Sequence, residues 1–238
     1  MVSKLTKYMR TPDDPEANHP VFDVDLEFGK MAVQIGQGFK LPGVSLREKS
    51  LLCLANDVCE MNLDLAFQMH VALALANGVS GQEIREILYH LAPETGYAKV
   101  LQAIVRLNEI EKREPAPETE PENSRPDGSR QSVSIPTELR GRLEKVDARF
   151  EALLRQQIEE RWNRPGLTPK ERAYISLTAD VSGQTLGAPF TFHCNAALRY
   201  GATAEQIRTV LLFMSEFSFS KAWQAFEVFS ERFQTVKQ

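Results

Sequence analysis

The chain has 238 residues, a formal net charge of -4 at pH 7, 42% hydrophobic and 25% charged residues. That is enough to bury a sizeable core, and it gives no broad positive field for a phosphate backbone, so nucleic acid is excluded as a partner. Residues 1–20 are polar, contain prolines and lack an apolar run, so we expect neither a signal peptide nor a membrane span, and a cytoplasmic protein.

In chain order, residues 24–39 read as a weakly amphipathic helix. Ser45 with Glu48 then has capping-box spacing, in which each side chain satisfies the other residue's backbone N–H, and a helix should start there. A short helix carrying Leu63, Phe67, His70 and Ala74 on one face follows and ends at Gly78, which can take the left-handed backbone that closes a helix. Ser80 with Glu83 opens a third helix with an apolar face of Ile84, Ile87, Leu88 and Leu91, and a longer fourth follows the turn at Gly96. Residues 113–134 are proline-, glutamate- and serine-rich with almost nothing apolar, the composition of an exposed linker. Beyond it, Leu139, Leu143, Val146, Phe150, Leu153, Leu154, Ile158 and Trp162 form a stripe that predicts one long amphipathic helix.

The remainder repeats what came before. Residues 45–92 slide onto 168–215 without a gap, and the identities include Glu48/Glu171, Asp57/Asp180, Phe67/Phe190, His70/His193, Gly78/Gly201 and Arg85/Arg208. After a one-residue deletion Glu94/Glu216 and Lys99/Lys221 match as well. The helix punctuation is copied too, as Thr168 with Glu171 and Thr203 with Gln206. No segment alternates at period two between turn signals. We therefore expect an all-α fold of two tandem helical repeats, each preceded by an additional helix, with a first unit over 1–112, a linker over 113–134 and a second unit over 135–238.

Residues 70–78, His-Val-Ala-Leu-Ala-Leu-Ala-Asn-Gly, with Leu-Arg-Glu-Lys-Ser-Leu-Leu at 46–52 ahead of them, resemble the core of carboxymuconolactone decarboxylases. The second copy presents Pro-Gly-Leu-Thr-Pro-Lys-Glu-Arg at 165–172, then His193 and Gly201 at the same spacing. The resemblance implies a helical fold that assembles as a ring of repeats, which for a double-repeat chain is a homotrimer. It also implies a small-molecule carboxylic acid or lactone as substrate. The similar alkylhydroperoxidase D branch works through a CxxC pair ahead of the histidine. Here those positions are Leu63 and Ala66 in one copy and Leu186 and Pro189 in the other, and Cys53, Cys59 and Cys194 form no such pair, so dithiol chemistry is not expected.

The decarboxylase branch needs a donor or cation to stabilise the enolate-like charge as carbon dioxide leaves, and a group that delivers a proton to the carbanion. No metal or organic cofactor is implied, and no zinc-ligand spacing or phosphate loop is present in the sequence. His70 and His193 match the family's histidine and are the catalytic candidates, although a histidine beside Phe67 and Ala74 could also be a core residue. Glu94 and Glu216 are candidate acid/base groups, and Lys99 and Lys221 candidate anchors for a substrate anion. Asp57 and Asp180 are poor helix formers kept mid-helix in both copies, which points to a buried hydrogen bond or a substrate contact. The expected activity is cofactor-independent acid/base catalysis, most simply decarboxylation of a small carboxylated lactone or keto-acid. An isomerase, cyclase or hydrolase, or a ligand-binding oligomer without catalysis, would use the same pocket. Differences such as His90 opposite Phe213 and Gly96 opposite Ser218 leave open which copy works.

Overall fold

The structure is a computed structural model, and it describes residues 24–35, 37–113 and 132–233. A helix α1 (Leu26–Ile35) and a 3-10 turn (Gly38–Lys40) lead into α2 (Leu46–Glu60), α3 (Leu65–Ala76), α4 (Gly81–Thr95) and α5 (Tyr97–Arg113). Then come α6 (Thr137–Val146), α7 (Ala148–Trp162), α8 (Pro169–Gly183), α9 (Ala188–Arg199), α10 (Ala204–Phe213), a 3-10 turn (Met214–Glu216) and α11 (Phe219–Phe233). Among the described residues there is no strand, and the fold is all-α with the repeat visible helix by helix. Most of the connection expected over 113–134 lies outside the described residues. At its end, Val133 is buried, and its backbone exchanges hydrogen bonds with the Asn163 side chain.

All four capping boxes form. The side chains of Ser45, Ser80, Thr168 and Thr203 each accept the backbone N–H three residues on, and Glu48, Glu83, Glu171 and Gln206 reach back to the cap. Gly78 and Gly201 have positive φ, at 76° and 95°. So do Met61 and Gln184, non-glycine residues at equivalent positions that end α2 and α8 in the left-handed region. That turn folds the chain back sharply, so that the helix carrying the histidine packs on the helix before it.

The single long helix expected over residues 139–162 is instead two helices. α6 stops at Val146, and Asp147, extended at φ -165° and ψ 119°, accepts hydrogen bonds from the Arg149 and Phe150 N–H groups to cap α7. The apolar spacing reads through this point without interruption. The break comes from the aspartate, whose side chain competes for the backbone N–H groups of the next turn.

Helices α2 and α8 pack against one another at the centre, buried along almost their whole length. Their charged residues are matched across the duplication. Arg47 Nε lies 3.0 Å from Glu171 and, reciprocally, Lys170 Nζ lies 2.8 Å from Glu48. The buried cations Lys49 and Arg172 occupy equivalent places and donate to the carbonyls of the segment entering their own helix, Leu41 and Arg164. The apolar cores are shared likewise: Leu52 and Cys53 join the core built on α8 to α11, and Leu167, Ile175 and Ala179 join the one built on α2 to α5. Neither repeat closes a core with its own residues alone.

Candidate functional site

Each central helix carries an aspartate, and the next helix carries a histidine thirteen residues later. Asp57 Oδ2 lies 2.6 Å from His70 Nδ1, and Asp180 Oδ2 lies 2.6 Å from His193 Nδ1. A poor helix former is tolerated mid-helix because its buried carboxylate binds Nδ1 of the imidazole and fixes the ring's orientation, with the other ring nitrogen, Nε2, turned away from it.

The glutamate and lysine come from the opposite repeat. The cavity in front of His70, about 630 Å³, is lined by Asp57, Glu60 and His70 from the first repeat and by Glu216, Phe217 and Lys221 from the second. A smaller cavity of about 200 Å³ takes Glu94 and Lys99 from the first repeat and Asp180 from the second. His193 stands behind it, only 4% exposed, with Nε2 3.7 Å from Glu94 Oε1. All eight candidate residues thus gather into two sites between the repeats. Lys221 borders both cavities, held by Glu60 at 2.7 Å and by the Ser182 carbonyl at 2.8 Å. Lys99 makes the equivalent bond to the Cys59 carbonyl at 2.8 Å, but the position matching Glu60 is Gly183, which offers it no carboxylate.

The surroundings of the two sites have diverged. In the second, Arg161 binds Glu94 at 2.8 Å and the His90 carbonyl at 3.0 Å, and the Trp162 ring stacks on His193 at 5.9 Å. His90 itself is fully buried and bonded to Ser176 at 2.9 Å; burial, then the charges of Arg161, Arg172 and His193, holds it well below the ordinary histidine range. In the first, the residue matching Arg161 is Gly38, whose backbone N–H donates to Glu216 Oε1 at 2.6 Å. Phe217 lies edge-on to His70, at 6.4 Å between ring centres.

Electrostatics follow the geometry. Burial disfavours a charged His70, but the neighbouring Cys53 and the Asp57 carboxylate outweigh it and hold the imidazole proton well above the usual range. Burial raises Glu216 above the ordinary carboxylate range, against the pull of the Gly38 N–H. Asp57 and Asp180 are also raised by burial, opposed by their histidines. The cysteines are free and buried, and burial pushes the Cys59 thiol up to about 12, far from a reactive thiolate. Among the described residues no group of three or more His, Cys, Asp or Glu side chains is arranged to hold a metal ion.

Sequence reading missed Gly38, Arg161 and the stacking role of Trp162. The repeat register, carried a few residues upstream of Ser45 and Thr168, would have set Gly38 against Arg161. That Arg161 ends beside Glu94 could not be read from it.

A duplicated helical frame thus sets Asp–His pairs beside the other repeat's Glu and Lys, side chains of the kind that acid/base chemistry uses. The chain belongs to the carboxymuconolactone decarboxylase family, whose model matches it twice, over residues 27–108 and 146–231. A crystal structure from Burkholderia xenovorans LB400, of a protein provisionally named a gamma-carboxymuconolactone decarboxylase subunit, is similar in fold. Its TM-score is 0.56 at 20% identity, covering 98% of this chain and 95% of that one. No curated protein matches the sequence. No helix among the described residues is long and apolar enough to cross a membrane.

Proposed function

We propose that the protein is a cofactor-independent lyase that decarboxylates a small carboxylated lactone or keto-acid in the His70 cavity. The observation that carries this reading is the juxtaposition, around one cavity, of the His70 imidazole bonded to Asp57, the Glu216 carboxyl and the Lys221 side chain. Lys221 and the His70 imidazolium anchor the substrate anion and stabilise the enolate that forms as the bond to the carboxylate carbon breaks and carbon dioxide departs. Either Glu216 or His70 Nε2 then gives its proton to the carbanion carbon and is reprotonated from water, so the product carries a hydrogen where the carboxylate was. Asp57 holds the ring orientation and balances its charge. A homotrimer is part of the same reading: exposed apolar residues repeat at equivalent places, Tyr97 and Leu101 on α5 and Phe219 and Trp223 on α11, and suit contacts between copies.

The test is carbon dioxide release from a panel of carboxylated γ-lactones and keto-acids by the purified protein. His70→Ala and Glu216→Gln should each lose on the order of 10²–10⁴ in rate, the usual weight of a positioned acid/base. Binding of the same acids with no turnover in any case would mean a ligand-binding protein instead.

A further inference from the structure

The two sites are copies of one another, and one of the positions at which they differ faces the turn glutamate in each. At the residue matched by the repeat register, the first copy has Gly38 and the second Arg161. Both face the turn glutamate of the other repeat, at 2.6 Å from Glu216 and 2.8 Å from Glu94. What each presents is different. Gly38 gives one neutral backbone N–H, and there is no room for more: a Cβ there would fall 2.6 Å from Glu216 Oε1 and 2.9 Å from the Phe213 ring. Arg161 gives a full positive charge from a side chain only 9% exposed, locked by the His90 carbonyl and continued by Trp162 lying flat over His193. A carboxylate paired with a buried guanidinium is already engaged by a charge-assisted hydrogen bond, and an imidazole stacked against an indole ring has little space for a substrate.

We propose that this exchange decides which duplicated site works: Gly38 keeps the His70 cavity open to carboxylates, whereas Arg161 makes the His193 site a closed structural cluster that admits no ligand. The proposal deepens the functional reading above in naming the working site. Its first test nevertheless asks only which histidine an anion can reach.

That test is histidine-selective ¹⁵N NMR of the full-length protein with acetate, the simplest carboxylate, as probe. In the unmodified protein the His70 ring signals should move with added acetate and those of His193 should not. Arg161→Gln should make the His193 signals responsive as well, while Gly38→Ala, which forces the Glu216 carboxylate aside, should weaken the His70 response by about tenfold or more. Trp162 provides a second readout if Arg161→Gln loosens the fold. In a Trp223→Phe background, where Trp162 is the remaining tryptophan, its fluorescence should be insensitive to acetate until Arg161 is replaced. Acetate shifts at His193 in the unmodified protein, or none at His70, would overturn the proposal. The expected NMR pattern without carbon dioxide release would instead remove the decarboxylase reading and leave the assignment of the open site standing.

Discussion

At the scale of single residues, the first copy's Asp–His pair couples the candidate site to stability. His70 is held charged above its ordinary value of 6.5, so the folded protein binds this proton more tightly than the unfolded chain does. The sign is that of a raised group: the stabilisation is complete below about pH 6.5 and is lost as pH climbs through the raised value. Asp57 and Glu216, also raised, act in the same sense from lower pH. We therefore expect the urea midpoint to fall as pH rises from about 6.5, and Asp57→Asn, which removes the carboxylate 2.6 Å from Nδ1, to flatten that fall. Equal slopes for the two proteins would show that Asp57 is not what holds the proton.

At the scale of the element, the caps and the turns do different work. The Thr168 hydroxyl accepts the Glu171 N–H at 3.2 Å, and Glu171 returns a bond to the Thr168 N–H at 2.8 Å while also meeting Arg47 of the other repeat. Thr168→Ala should lower stability by about 1 kcal/mol, the typical loss for a helix cap, read as a shift in the chemical denaturation midpoint. An unchanged midpoint would mean that Glu171 is held by Arg47 alone. The one-residue difference between the copies falls where it matters. α4 continues through Pro93 to Thr95, whereas α10 stops at Phe213 and passes into a 3-10 turn, so Glu94 and Glu216 are delivered from differently wound ends.

At the scale of the whole molecule, the shared cores make the two repeats one unit. Their reciprocal ion pairs, Arg47 with Glu171 and Lys170 with Glu48, are each partly buried, and each core takes apolar residues from the other repeat. The polar composition of residues 113–134 predicts that a protease cuts there first. The two fragments should then stay together, and light scattering should give the mass of three chains before and after cleavage. Fragments that separate, or a monomeric mass, would refute the interlocked trimer.

The sequence by itself determined much of this protein. The capping pairs, the glycines that end helices and the duplicated Asp, His, Glu and Lys were legible because they depend on spacing within a few turns or on a repeat register. The break at Asp147 escaped, since an apolar stripe carries no mark of where a side chain will compete for the backbone. Only the tertiary structure decided that each histidine is served by the other repeat's glutamate, because packing α2 on α8 sets distances that no spacing along the chain encodes. It also set the sizes of the two cavities, about 630 Å³ in front of His70 and about 200 Å³ in front of His193. Gly38 and Arg161 look unremarkable in the sequence, and their difference matters because they face Glu216 and Glu94 across that interface, where one carboxylate meets a bare backbone N–H and the other a buried guanidinium.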